Sequence, residues 1–108
     1  MSKFDFIMHF ISEDLEDYVA NHSQAEPELL AKLNKETYQK IMQPRMLSGH
    51  FQGRVLSMLS KIIRPKHILE IGTYTGYAAL CLAEGMAENG TLDTIDIEEE
   101  LVDFQRKY

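Results

Sequence analysis

The chain has 108 residues, 44% of them hydrophobic, with eleven Lys and Arg against seventeen Asp and Glu for a net charge of -6. That length suits one globular domain burying roughly 60–65% of its unfolded surface. The acidic balance gives polyanions no electrostatic footprint, so nucleic acid is not the expected partner. No membrane partner is expected either: the longest apolar stretch, near residues 78–83, is far short of a bilayer span, and the start MSKFDFIMHF lacks a signal peptide's long apolar segment and cleavage site. A cytoplasmic location is the resulting expectation. The single cysteine, Cys81, cannot form an internal disulfide and falls among apolar neighbours, which favours core packing over nucleophilic chemistry.

The first 64 residues read as a helical segment. Ser12 can cap a helix whose Leu15, Tyr18, Val19 and His22 share one face, with Asp14, Glu16 and Asp17 toward solvent. Glu26-Pro27-Glu28 opens a second helix carrying Leu29, Leu30, Leu33 and Ile41 at helical spacing, and Gln43-Pro44 closes it. A third follows Ser48-Gly49, with Phe51, Val55, Leu56, Leu59, Ile62 and Ile63 as a broad apolar stripe, and stops at Arg64-Pro65.

Residues 65–108 change pattern. The run His67-Ile68-Leu69-Glu70-Ile71, ended by Gly72, suits a strand buried on both faces. Residues 77–87 then predict a helix ending near Asn89-Gly90, residues 91–97 a second strand, and Glu98 a last helix with Leu101, Val102 and Phe104 apolar. Strand, helix, strand and helix make a βαβ unit, which implies an α/β fold with parallel pairing and a right-handed crossover. Glu98 to Glu100 in a first turn and Arg106-Lys107 in the last complement the helix dipole.

Open α/β sheets bind ligands beyond the carboxyl ends of their strands, where Glu70 and Asp96 fall. Between them, Glu70-Ile-Gly72-Thr-Tyr-Thr-Gly76 is a glycine-spaced turn. Tyr74 occupies the second glycine of a dinucleotide fingerprint, and no Gly-Lys-Ser/Thr follows, so neither an NAD site nor a P-loop is supported. A carboxylate aimed into such a turn repels phosphate and welcomes a cation. The four histidines His9, His22, His50 and His67 show no metal-ligand spacing.

The turn resembles motif I of class I S-adenosylmethionine-dependent methyltransferases. The longer run HILEIGTYTGYAAL is similar to the cation-dependent small-molecule O-methyltransferases of the catechol and caffeoyl-CoA type, as are RMLSGHFQGRVLSML upstream and TLDTIDIEEEL downstream, over about residues 18–108. The resemblance implies S-adenosylmethionine as cofactor and a small, aromatic hydroxyl compound as methyl acceptor. It implies an incomplete doubly wound, Rossmann-like sheet preceded by helices that cover the acceptor pocket and help form a homodimer or other self-association. By the same resemblance, Asp96 accepts from the two ribose hydroxyls, Glu70 orients the amino-acid end, and Gly72 and Thr73 bring backbone to the ligand. Tyr74 lies beside the cofactor, Met46 and Ser48 line its amino-acid end, and Gly76 serves the tight turn and helix-sheet packing.

This chain departs from the family at Ala78, where a serine commonly binds the cofactor carboxylate; only backbone N–H groups remain there. The resemblance also implies a divalent cation, magnesium, but its ligands and the assisting lysine lie on later strands and loops in the family, so no catalytic or metal residue is assigned here. The residues read as the first half of a longer enzyme, expected to be inactive alone and to expose a sheet edge. The alternatives are a non-catalytic partner-binding module, an RNA-directed methyltransferase such as some relatives are, and an NAD-dependent oxidoreductase, disfavoured by Tyr74.

Overall fold

A computed structural model describes residues 11–41 and 46–108. Helix α1 (Glu13–His22) is capped by Ser12, whose hydroxyl accepts from the Leu15 N–H at 3.3 Å, and buries none of its residues. Helix α2 (Glu28–Lys40) follows Pro27 and buries Leu30, Leu33, Glu36 and Thr37, while Ile41 is its C-terminal cap. Gln43 and Pro44, expected to close this helix, lie outside the described residues. Helix α3 (Gly49–Ile63) stops at Arg64, which turns left-handed with φ 50° ahead of Pro65. Proline bars its predecessor from the helical region, so the stop is dictated locally.

Most of the apolar stripe expected to seat α3 faces the other way; only Val55 and Leu56 of it are half-buried, Leu56 against the core. Its buried residues are Gly53, Ser57 and Ser60, whereas Phe51 (53% exposed), Met58, Leu59, Ile62 (73%) and Ile63 stand in the open. The cause is close packing against helix α4 (Tyr77–Ala83): a Cβ on Gly53 would come within 2.8 Å of both Cys81 Sγ and the Tyr77 ring, and one on Gly85 would overlap the backbone of Ser60 and Lys61. Small residues let the backbones approach, and polar partners secure them. Ser60 Oγ donates to the Leu82 carbonyl at 2.5 Å, Ser57 Oγ donates to Glu84, and Arg54 pairs with Glu84 at 3.0 Å.

Helix α4 is shorter than the expected 77–87. After Ala83 the chain tightens into i→i−3 bonds, and Ala87 N–H then donates to the Pro65 carbonyl at 2.8 Å and Thr91 N–H to the Lys66 carbonyl at 2.8 Å. Leaving the helix early delivers the chain to the sheet. Strands β1 (His67–Ile71) and β2 (Thr91–Ile95) pair in parallel, with Glu70 opposite Thr94 and Ile71 opposite Ile95. Strand β2 thus ends before Asp96 rather than at residue 97. Burial on both faces of β1 is not realised: Ile68 and Glu70 are half-buried, while Leu69 (64% exposed) and Ile71 (81%) face outward, because the helices pack on one face of the pair. The last helix opens as a 3-10 turn, Glu99–Leu101, and continues as α5 (Val102–Lys107).

The core is Leu30 and Leu33 of α2 against Tyr77 and Cys81 of α4, with Leu47, Leu56, Leu80, Phe104 and Tyr108 around it. Cys81 is fully buried, as core packing requires, and burial pushes its thiol above the ordinary range. The chain end is tied back to α2 by Glu36, which accepts from Lys107 (2.6 Å), the Tyr108 hydroxyl and Lys40 (3.0 Å). Those three partners, Lys107 foremost, hold its carboxyl at about 2, well below its usual 4.5. Among the described residues no helix is long and apolar enough to cross a membrane.

Two outcomes follow from this packing. Gly53→Ala gains about 1 kcal/mol of helix propensity but meets Tyr77 and Cys81, so urea denaturation is expected to show a net loss of ~1–2 kcal/mol. Because the folded-state carboxyl of Glu36 titrates below its unfolded value, its stabilisation is complete above pH 4.5 and is lost as the pH falls toward 2. Glu36→Gln is expected to lower the melting temperature at pH 7 and to flatten the decline over that acid window, as followed by circular dichroism.

Candidate functional site

Beyond the carboxyl ends of β1 and β2 the chain makes a tight turn. Gly72 has φ +97°, a conformation that side-chain-bearing residues rarely adopt, and its N–H donates to the Ile95 carbonyl at 2.7 Å, adding one rung to the ladder. No heavy atom lies within 4 Å of where its Cβ would stand, so the backbone there opens onto free space. Thr73 and Thr75 are buried, and Thr75 Oγ1 lies 3.2 Å from the Thr37 hydroxyl of α2. The turn is thereby fastened to the helical layer.

Tyr74 is left-handed with φ 50°, which costs a non-glycine residue roughly 1–3 kcal/mol. Two partners hold it: its N–H donates to Asp96 Oδ2 at 2.9 Å, and its carbonyl accepts from Gln105 Nε2 of α5 at 2.5 Å. Gly76, φ +93°, then starts α4. The expected helix-sheet packing role of Gly76 is not realised, since nothing lies within 4 Å of its would-be Cβ; the left-handed turn is what requires it.

The two acids are set in opposite senses. Asp96 receives the Tyr74 N–H on one oxygen and the Glu98 N–H on the other, both at 2.9 Å, and these bonds lower its pKa. Glu70 is pushed up, first by burial and also by the charge of Asp96, against the hydrogen bond it accepts from Thr94 at 2.8 Å. Each carboxylate oxygen has a second lone pair, so both acids keep acceptor capacity toward the open turn. Hydroxyl and cationic donors suit such a surface; anions do not.

Glu70, Gly72, Thr73, Tyr74 and Asp96 are thus brought together at one end of the sheet. Ala78 is the second residue of α4. Met46, 60% exposed, and Ser48 lie at the entry to α3; Ser48 precedes the helix in helical conformation and its side chain makes no capping bond. A groove of about 590 Å³ runs between this entry and α2, lined by Asn34, Lys35, Tyr38, Leu47 and His50 among others. Within it Asn34 Oδ1 and His50 Nδ1 are buried without a hydrogen-bond partner among the described residues.

Sequence reasoning missed Thr94 and Gln105. Parallel register could have found Thr94, which sits two residues before Asp96 as Glu70 sits two before Gly72; Gln105 carries no signal of its kind. Among the described residues no three His, Cys, Asp or Glu side chains converge as a metal-ligand set, and no step is assigned to a metal.

The comparisons with known proteins agree with this geometry. The family described as O-methyltransferase matches residues 20–108. Caffeoyl-CoA O-methyltransferase 1 of Zea mays is 37% identical over 91 residues, covering 82% of this chain and 35% of that protein. The O-methyltransferase TomG of Streptomyces achromogenes, involved in tomaymycin synthesis and solved in complex with SAM, superposes with a TM-score of 0.76 at 26% identity, over 87% of this chain and 42% of that one. The O-methyltransferase of Bacillus cereus, in complex with SAH, gives 0.72 and 26% over the same shares. The chain spans less than half the length of the relatives it matches. Helices leading into a parallel βαβ unit, with a glycine turn between two strand-end acids, are the opening portion of a Rossmann-like methyltransferase fold, and by sequence and fold together this chain belongs to the O-methyltransferase family.

Proposed function

We propose that the turn holds S-adenosylmethionine and that the protein containing these residues transfers its methyl group to the hydroxyl of a small aromatic acceptor. The observation that carries this reading is the pair of strand-end acids around an open glycine: Asp96, with its low pKa, suits two ribose hydroxyls, and Glu70 suits the donors of the amino-acid end. Gly72 and Thr73 supply backbone, Tyr74 a flanking ring, and Met46, Ser48 and Ala78 the surroundings of the amino-acid end. S-adenosylmethionine supplies an electrophilic methyl group, and the task of the protein is then to hold an acceptor oxygen in line with it. The aromatic hydroxyl acceptor is supported by likeness to the caffeoyl-CoA enzyme of Zea mays, and the groove beside α2 is the acceptor side.

Self-association belongs to the same reading, supported by Phe51, Met58, Ile62 and Ile63, which present an apolar α3 face too continuous for a solvated surface. A second copy of the chain is the proposed occupant of that face.

Titration calorimetry with S-adenosylhomocysteine should give saturable binding, and NAD should give none, since Tyr74 fills the place of its second glycine. Asp96→Ala is expected to weaken that binding on the order of a hundredfold, from two lost charge-assisted bonds. Saturable NAD binding would shift the assignment to a dinucleotide site. In sedimentation velocity the chain should run above monomer mass and Ile62→Glu should shift it downward; a monodisperse wild-type monomer would remove the self-association reading.

A further inference from the structure

The hydroxyls of Thr73 and Thr94 stand outside every role assigned so far, yet they form a chain that ends on Glu70. Thr94 Oγ1 donates to Glu70 Oε1 at 2.8 Å, and Thr73 Oγ1 lies 2.5 Å from Thr94 Oγ1. A hydroxyl carries one proton. The Thr94 proton is committed to Glu70, so Thr73 must be the donor in the second bond. The direction is therefore fixed: Thr73 to Thr94 to the carboxylate.

The backbone builds this alignment. Parallel register sets Thr94 directly opposite Glu70, the acid half-buried and the threonine itself exposed. The Gly72 N–H to the Ile95 carbonyl extends the ladder one step, and the left-handed turn at Gly72 carries Thr73 back over Thr94. Thr73 is only 8% exposed, so its hydroxyl has little access to water and its orientation is set by this partner.

We propose that Thr94, backed by Thr73, is a positioning residue that fixes one Glu70 oxygen so that the other is presented to hydroxyl or ammonium donors of the bound ligand. The inference rests on the cofactor reading above and deepens it by naming what orients the acid. Two successive hydroxyl donors polarise one another and favour an ionised Glu70. A carboxylate so held accepts donors and repels phosphate, which is the selection a sulfonium nucleoside needs over a dinucleotide. Burial first, and then the charge of Asp96, oppose ionisation of Glu70, and the Thr94 bond counters them.

The test is calorimetric titration of S-adenosylhomocysteine across pH 4 to 8 into the wild type, Thr94→Val and Thr94→Ser, with the melting temperature of each recorded. Valine keeps the shape and strand preference of threonine but removes the hydroxyl; serine restores it. Thr94→Val should weaken binding about three- to tenfold at pH 7 and move the acidic limb of the profile to higher pH, with Thr94→Ser returning both toward wild type. Wild-type affinity and pH profile in Thr94→Val, or an equal loss in Thr94→Ser, would overturn the relay while leaving the cofactor assignment standing. Absence of binding in a folded wild type would overturn both.

Discussion

Close approach of α3 to α4 is the constraint on which the rest of the structure depends. Gly53, Ser57 and Ser60 form a face with almost no side-chain bulk, and α4 presses Tyr77 and Cys81 into it. That contact fixes where α4 begins and ends. Its start places the glycine turn above the strands, and its early end returns the chain through Ala87 to the Pro65 carbonyl and so into β2. The polar bonds of Ser57, Ser60 and Arg54 secure the contact where apolar packing is thin, while Arg54 Nε is buried without a hydrogen-bond partner among the described residues. An interface built from glycine and serine gains little from the hydrophobic effect and relies on fit instead.

The site depends on the same scaffold at one remove. Asp96 lies just past β2, and it spends a lone pair of each oxygen on the backbone of the turn and of the segment leading into α5. It is therefore part of the turn's architecture as well as a candidate ligand group. Gln105 reaches back from α5 to the Tyr74 carbonyl, and Glu36 of α2 holds Lys107 and Tyr108 at the end of α5. The strained Tyr74 is thus gripped from both sides by elements far apart in sequence. Where a dinucleotide fold uses glycine to permit a left-handed residue, this chain uses tyrosine and restrains it.

Family membership and site geometry carry different weights. The match over residues 20–108 and the superposition on O-methyltransferases establish the family and the fold. The geometry adds which groups at the strand ends stay open as acceptors, and it places two acids with opposite shifts beside one another. Burial raises Glu70; hydrogen bonding lowers Asp96. Environment, rather than residue type, separates their roles.

What the sequence by itself determined is what local chemistry controls. Ser12 caps α1, Pro65 halts α3, the β-branched run before Gly72 makes β1, and Gly72 and Gly76 mark the turn; each is a short-range signal whose steric or hydrogen-bonding cause lies within a few residues. The glycine turn and its two acids were legible for that reason, and so was their likeness to a methyltransferase motif. Which face of α3 is buried was decided only by tertiary structure, because Gly53, Ser57 and Ser60 read as polar or neutral until α4 is seen to need the space. The same holds for the length of α4, the exposure of one face of β1, and the bonds of Thr94 and Gln105 to the turn. Periodicity reports how apolar a face is, whereas burial is set by which neighbours come close enough to exclude water from it.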